Sequence, residues 1–235
     1  MSPGASPFIV VTGASQGIGW ATALELATAH GCTVLAVARN GAALNQLAAE
    51  HTAQGRVEVL PIDLSVEGSA AQLAKTVGAR NVAGIVLNHG LLLNKPFAQI
   101  TRADLVQVYT ANVFSAMEVV QALLPRLGPQ SHIVTIGSMG GYQGASKYPG
   151  LSGYSSSKAA LACLSQCLAA EFGAQGPKVN CLCLGGVDTS MLQAAFPGYK
   201  APTSAATMGA YIARFALEGH RWYNGQVLPV ALSNP

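Results

Sequence analysis

The chain has 235 residues, 50% of them hydrophobic and only 10% charged, with a formal net charge of +3 and a pI near 8.6. That apolar content suits one compact α/β domain with a large core and excludes a disordered chain. Lysine and arginine are scattered, which argues against a nucleic-acid partner. No apolar run is long enough to span a bilayer, and residues 1–7 lack the features of an export signal, so the expectation is a cytoplasmic protein without a membrane partner.

In chain order, short β-branched runs alternate with longer helical patterns, the mark of a parallel sheet covered on both faces. Strands are predicted over 8–12, 32–38, 57–61, 82–88, 131–137, 178–184 and 226–230. Helices are predicted over 17–29, 42–53, 70–77, 102–127, 153–172 and 204–217. No repeat or linker interrupts the alternation, so residues 1–235 form one doubly wound domain.

The first strand runs into Thr12-Gly13-Ala14-Ser15-Gln16-Gly17-Ile18-Gly19 and then a helix. Glycines there permit the turn and let a pyrophosphate approach the backbone, while the helix N-terminus offers free N–H groups to the anion. At the end of the second strand, where a dinucleotide fold usually holds ribose with an acid, Val37-Ala38-Arg39-Asn40 supplies a guanidinium instead. Arg39 suits a 2′-phosphate and favours NADP(H) over NAD. Asp63-Leu64 closes the third strand, placed to accept from an adenine amino group, and Asn88-His89-Gly90 closes the fourth. His89 is the one histidine of five near this site; cofactor packing or a local hydrogen bond suits it better than general-base work.

Tyr154-Ser155-Ser156-Ser157-Lys158 falls on the predicted helix 153–172. One turn apart on one face, Lys158 can stand close to the Tyr154 phenol and favour its ionised form. The five cysteines, Cys32, Cys163, Cys167, Cys181 and Cys183, include no CxxC pair. Their apolar surroundings predict buried reduced thiols and no metal site.

Taken together, Thr12 to Gly19, Asn88 to Gly90, Asn112, Ser138, Tyr154 with Lys158, and Gly185-Gly186-Val187-Asp188-Thr189 resemble the short-chain dehydrogenase/reductase family in order and approximate spacing, over nearly the whole chain. The resemblance implies a single-domain Rossmann fold and an NADP-dependent carbonyl reductase activity. It implies that Tyr154 is the general acid for the carbonyl oxygen and that Lys158 lowers its pKa and holds the nicotinamide ribose. Ser138 would hydrogen-bond the substrate oxygen, and Asn112 would anchor a water leading to Lys158. Backbone at Gly186 and Val187 would orient the nicotinamide, with Thr189 bonding nearby. Relatives pair two long helices across two-fold axes, which implies a homodimer or homotetramer here, consistent with helices apolar on more than one face.

This sequence departs from the family pattern in places. The family's Asn-Asn-Ala-Gly reads Leu87-Asn88-His89-Gly90, and the 15 residues 139–153 make a longer connection than usual. The lid, roughly 190–202, is short, which suggests an open pocket, and the chain ends without the family's usual acidic, double-glycine sequence. Leu91, Leu92, Leu93, Met139, Tyr142, Tyr148, Met191, Leu192 and Phe196 would make an apolar pocket for a small hydrophobic carbonyl or alcohol. A 3-oxoacyl thioester is the alternative substrate. It is disfavoured by Pro129 and Ala170 at the approximate positions of basic docking residues, although Arg126 and Lys147 remain. A non-catalytic NADP-binding sensor is the reading from another class, opposed by the intact Tyr–Lys–Ser–Asn set.

Overall fold

The computed structural model describes residues 6–50 and 55–232. Residues 51–53 of the predicted helix 42–53, the opening 1–5 and the terminal 233–235 lie outside them. The elements, in order, are β1 (Phe8–Thr12), α1 (Gly17–Thr28), β2 (Thr33–Ala38), α2 (Gly41–Ala49), β3 (Arg56–Pro61), α3 (Ser69–Val77), β4 (Gly84–Leu87), α4 (Arg102–Tyr109) and α5 (Ser115–Leu123). There follow β5 (His132–Ser138), α6 (Ser152–Phe172), β6 (Lys178–Leu184), β7 (Val187–Asp188), α7 (Ser190–Ala195), β8 (Thr203–Ser204), α8 (Ala205–Glu218) and β9 (Val227–Val230).

Seven parallel strands form one sheet in the order β3-β2-β1-β4-β5-β6-β9. The inner strands are mostly apolar because both faces are covered, and alternate residues serve opposite cores, while the edge strand β3 carries Arg56 and Glu58. Ile9 and Val11 of β1 join Val86, Val134 and Leu182 beneath α1 and α8. Phe8 and Val10 join Ile85, Ile133 and Val179 beneath α3, α5 and α6. The fold is therefore a single-domain, doubly wound Rossmann sheet. Strand order reverses between β1 and β4, which opens a crevice at their C-terminal ends.

Two predicted features differ, the helix over 102–127 and the burial of Cys163 and Cys167, and the lid gains structure that the sequence did not show. The helix expected over 102–127 is two helices joined by a π turn, Thr110–Phe114, and it closes in a 3₁₀ turn, Leu124–Arg126, where Pro125 has no N–H to continue the ladder. The short lid is folded and tied to the body. β7 pairs with β8, α7 caps on the Thr189 side chain, and Asn94 Nδ2 donates to the Ala195 carbonyl at 2.8 Å, bridging lid and β4 loop. Cys163 and Cys167 are exposed, because α6 turns Ser157, Leu161, Ser165 and Ala169 toward the sheet and carries both thiols on its outer face. Cys32, Cys181 and Cys183 are buried, as expected.

Candidate active site

The turn after β1 is shaped by its glycines. Gly13 and Gly17 adopt φ of 67° and 57°, a region that favours glycine, and a Cβ on Gly19 would strike the Gly13 carbonyl and the Asn88 side chain. Asn88 Nδ2 donates to the carbonyls of Thr12 and Gly13, both at 3.2 Å, and so fastens the turn to the end of β4. No side chain caps α1 and no acid stands in its first turn, so its leading N–H groups face the crevice free for an anion.

Across the crevice, β5 ends at Ser138, whose Oγ accepts from Gly140 N at 3.2 Å. α6 presents Tyr154 and Lys158 from one face. Lys158 is 4% exposed and donates from Nζ to the Ile136 carbonyl at 2.8 Å, with Nζ 6.0 Å from the centre of the Tyr154 ring. Burial pushes the ammonium down to about 8. The Tyr154 phenol is raised by burial, while the Ser138 hydroxyl acts to lower it. In this geometry the lysine charge is held by the Ile136 carbonyl, and Ser138 is the group that favours the phenolate.

Asn112 is 1% exposed and sits in the π turn. Its Oδ1 accepts from Leu91 N at 2.7 Å, and its Nδ2 donates to Leu91 O at 3.0 Å and Ser157 Oγ at 2.8 Å. A Cβ on Gly90 would lie 2.9 Å from Asn112 Oδ1 and 3.3 Å from Lys158 Nζ, so glycine keeps this corner open.

These groups surround one cavity of about 950 Å³. Of the site residues expected from sequence, Gly13, Ser15, Gln16, Gly17, Ile18, Arg39, Asp63, Leu64, Asn88, Gly90, Ser138, Tyr154, Lys158, Gly186, Val187 and Thr189 line it. Gly19 and Asn112 stand behind the wall as packing and support. Arg39, with an exposed side chain, marks the rim; its Nη1 is 3.9 Å from Asp63 Oδ2. Leu91, Leu92, Met139, Tyr148, Met191, Leu192 and Phe196 also face the cavity. Leu93 and Tyr142 do not. Leu93 packs at Gly153, and Tyr142 packs against the cluster containing Met139, Ala145 and Cys181. Leu151 and Tyr199 are lining residues the sequence reading missed. Tyr199 lies over Gly186, where a Cβ would be 3.1 Å from its ring; a small residue facing an aromatic ring across a short lid was the available signal. His89 also lines the cavity, and both its ring nitrogens are engaged locally, at 2.7 Å from Thr12 Oγ1 and 2.6 Å from Ser115 Oγ.

The model of the short chain dehydrogenase family matches residues 7–200. The chain is 34% identical over 190 residues to dehydrogenase/reductase SDR family member 6 of Rattus norvegicus, covering 79% of this chain and 73% of the relative. It is 34% identical over 176 residues to L-xylulose reductase of Caenorhabditis elegans, covering 73% and 68%. Among solved structures, a short chain dehydrogenase of Shigella flexneri 2a complexed with NADP superposes with a TM-score of 0.83 at 29% identity, covering 95% of this chain and 96% of that one. A glycine turn at the switch point, a Tyr–Lys pair on the helix after the fifth strand, and these matches lead to one conclusion: the chain is an oxidoreductase that belongs to the short-chain dehydrogenase/reductase family.

Proposed function

We propose that the protein is an NADPH-dependent reductase of a small hydrophobic ketone or aldehyde. The observation that carries this reading is the shape of the cavity. It has an anion-ready glycine turn with Arg39 at one end, and Ser138, Tyr154 and Lys158 beside an apolar wall at the other.

The residues fit NADP(H). The backbone of Gly13 to Ile18 would hold the pyrophosphate, with Gly19 allowing the close helix packing. Arg39 would take the 2′-phosphate, Asp63 and Leu64 the adenine, and Asn88, Gly90, Gly186, Val187 and Thr189 the nicotinamide end. When bound, NADPH supplies a hydride to the carbonyl carbon. Tyr154 donates its phenolic proton to the carbonyl oxygen, giving the alcohol, and takes a proton back in the reverse direction. Ser138 donates a hydrogen bond to the same oxygen as negative charge builds on it. Lys158, charged below about pH 8 and steadied by the Ile136 carbonyl, would hold the nicotinamide ribose. Asn112 fixes the corner beside Lys158 through Leu91 and Ser157. The wall of Leu91, Leu92, Met191, Leu192 and Phe196 selects an apolar substrate and keeps water from the hydride path.

Assembly follows the same reading. Val106, Phe114, Met117 and Leu124 are exposed along α4, the π turn, α5 and the 3₁₀ turn that closes it, and support a homodimer or homotetramer built on that face.

The test is NADPH oxidation against aryl ketones, diketones, aldehydes and a 3-oxoacyl thioester, with NADH beside it. The reading expects turnover of the aryl or diketone substrates, a preference for NADPH that Arg39→Ala erases, and near-total loss of turnover in Tyr154→Phe with cofactor binding intact. Preference for the thioester, or an Arg39→Ala protein that binds NADPH as well as before, would overturn the substrate or the cofactor assignment respectively.

A further inference from the structure

His89 closes the loop after β4 in Leu87-Asn88-His89-Gly90, and its ring is engaged at both nitrogens. Nδ1 is 2.7 Å from Thr12 Oγ1 at the end of β1, and Nε2 is 2.6 Å from Ser115 Oγ at the start of α5. The Ser115 hydroxyl donates to the Ala111 carbonyl at 3.0 Å, so its oxygen must accept from His89, which places the ring proton on Nε2. Nδ1 then accepts from the Thr12 hydroxyl, whose 2.7 Å contact there is much shorter than its 3.3 Å reach to the Val86 carbonyl. Burial and the Lys158 charge hold the imidazole down to about 4, so this neutral arrangement persists across the working range.

The Ser115–Ala111 bond lies in the π turn. The Ser115 N–H bonds the Thr110 carbonyl, five residues back, which leaves the Ala111 carbonyl, four residues back, to the Ser115 hydroxyl. Asn112 belongs to the same turn, and its amide grips Leu91, two residues beyond His89, on both backbone groups. Segment 89–91 therefore clamps the turn at two points, through the His89 ring at Ser115 and through the Leu91 backbone at Asn112. Gly90 between them touches the space of both Asn112 Oδ1 and Lys158 Nζ.

We propose that His89 is a positioning residue: its bridge from Thr12 to Ser115 holds the π turn that sets Asn112 beside Lys158. The kinetic arm of its test rests on the reductase reading above; the exchange arm does not.

The side-chain amide of His89→Gln reaches about as far as Nε2 and can still donate to Ser115, whereas that of His89→Asn reaches about as far as Nδ1 and can meet only Thr12. The experiment compares His89→Gln, His89→Asn, Ser115→Ala and the His89→Asn/Ser115→Ala double variant. Amide hydrogen exchange over 110–115 and steady-state kinetics with NADPH are both read. Expected are exchange about tenfold faster in His89→Asn and Ser115→Ala, with His89→Gln near wild type. In the same variants kcat should fall about tenfold or more with the KM for NADPH little changed, and the double variant should be no worse than either single. Equal behaviour of the Gln and Asn variants, additive losses in the double variant, or unchanged exchange in Ser115→Ala would overturn the proposal. If the wild-type protein reduces no carbonyl, the reductase reading fails, and exchange alone decides the role of His89.

Discussion

At the opposite end of the sheet from the cavity, His132 opens β5 with no exposed surface, and its environment admits only the neutral ring. Nδ1 lies 3.1 Å from the Ala216 carbonyl and must donate to it, while Nε2 lies 2.9 Å from Asn180 Nδ2 and must accept. Asn180 cannot turn over to oblige a second proton, because its Oδ1 accepts from Gln226 N at 3.0 Å and its Nδ2 also donates to Tyr223 O at 3.0 Å. Burial, with the His220 ring 5.8 Å away, sets the His132 pKa at about 4 against an ordinary 6.5. Between those values the unfolded chain binds more protons than the folded one, so stability falls as pH drops from 6.5 toward 4. The full gap corresponds to about 3 kcal/mol, of which about 2 kcal/mol is lost by pH 5. Urea unfolding near pH 7.5 and near pH 5, followed by circular dichroism, measures the loss in wild type and in His132→Gln. The variant should be the less stable protein near pH 7.5, yet its drop on acidification should be smaller than the wild-type drop by about 2 kcal/mol. An equal drop in the two proteins would refute the assignment to His132.

Other predictions concern the cavity. Gly90→Ala should cost about 1–3 kcal/mol of stability and a large part of kcat, because Asn112 and Lys158 are both anchored and cannot yield to a Cβ 2.9 Å and 3.3 Å away; thermal melts and kinetics check it. Asn94→Ala removes the bond from the β4 loop to the lid, so the KM for the carbonyl should rise about two- to tenfold with faster proteolysis of 190–202 and little change in NADPH binding. The rate of carbonyl reduction should fall as pH rises through about 8, where the buried Lys158 loses its proton, and a pH profile of kcat over about 6–10 measures this. A rate that rises over that range would show that Lys158 acts unprotonated.

Features whose causes are local were legible along the chain. Short apolar, β-rich runs in 8–12 and 178–184, glycines at 13, 17 and 19 before a helix, and a tyrosine and a lysine one turn apart can be read from neighbouring positions, since strand and helix propensities and backbone sterics act over a few residues. Tertiary structure alone decided the π turn, which depends on the hydrogen bonds of Asn112 to Leu91 and Ser157, 21 and 45 residues away. It likewise set the face of α6 that leaves Cys163 and Cys167 outside, the fold of Tyr199 over Gly186, and the latch from Asn94 to Ala195 across 101 residues. The direction of the Tyr154 pKa was also settled there. Spacing on a helix brings lysine near phenol, but the Ile136 carbonyl, contributed by β5, holds the ammonium and leaves burial to set the balance. Contacts between distant segments carry no period along the chain, and only the packed sheet and helices bring their partners together.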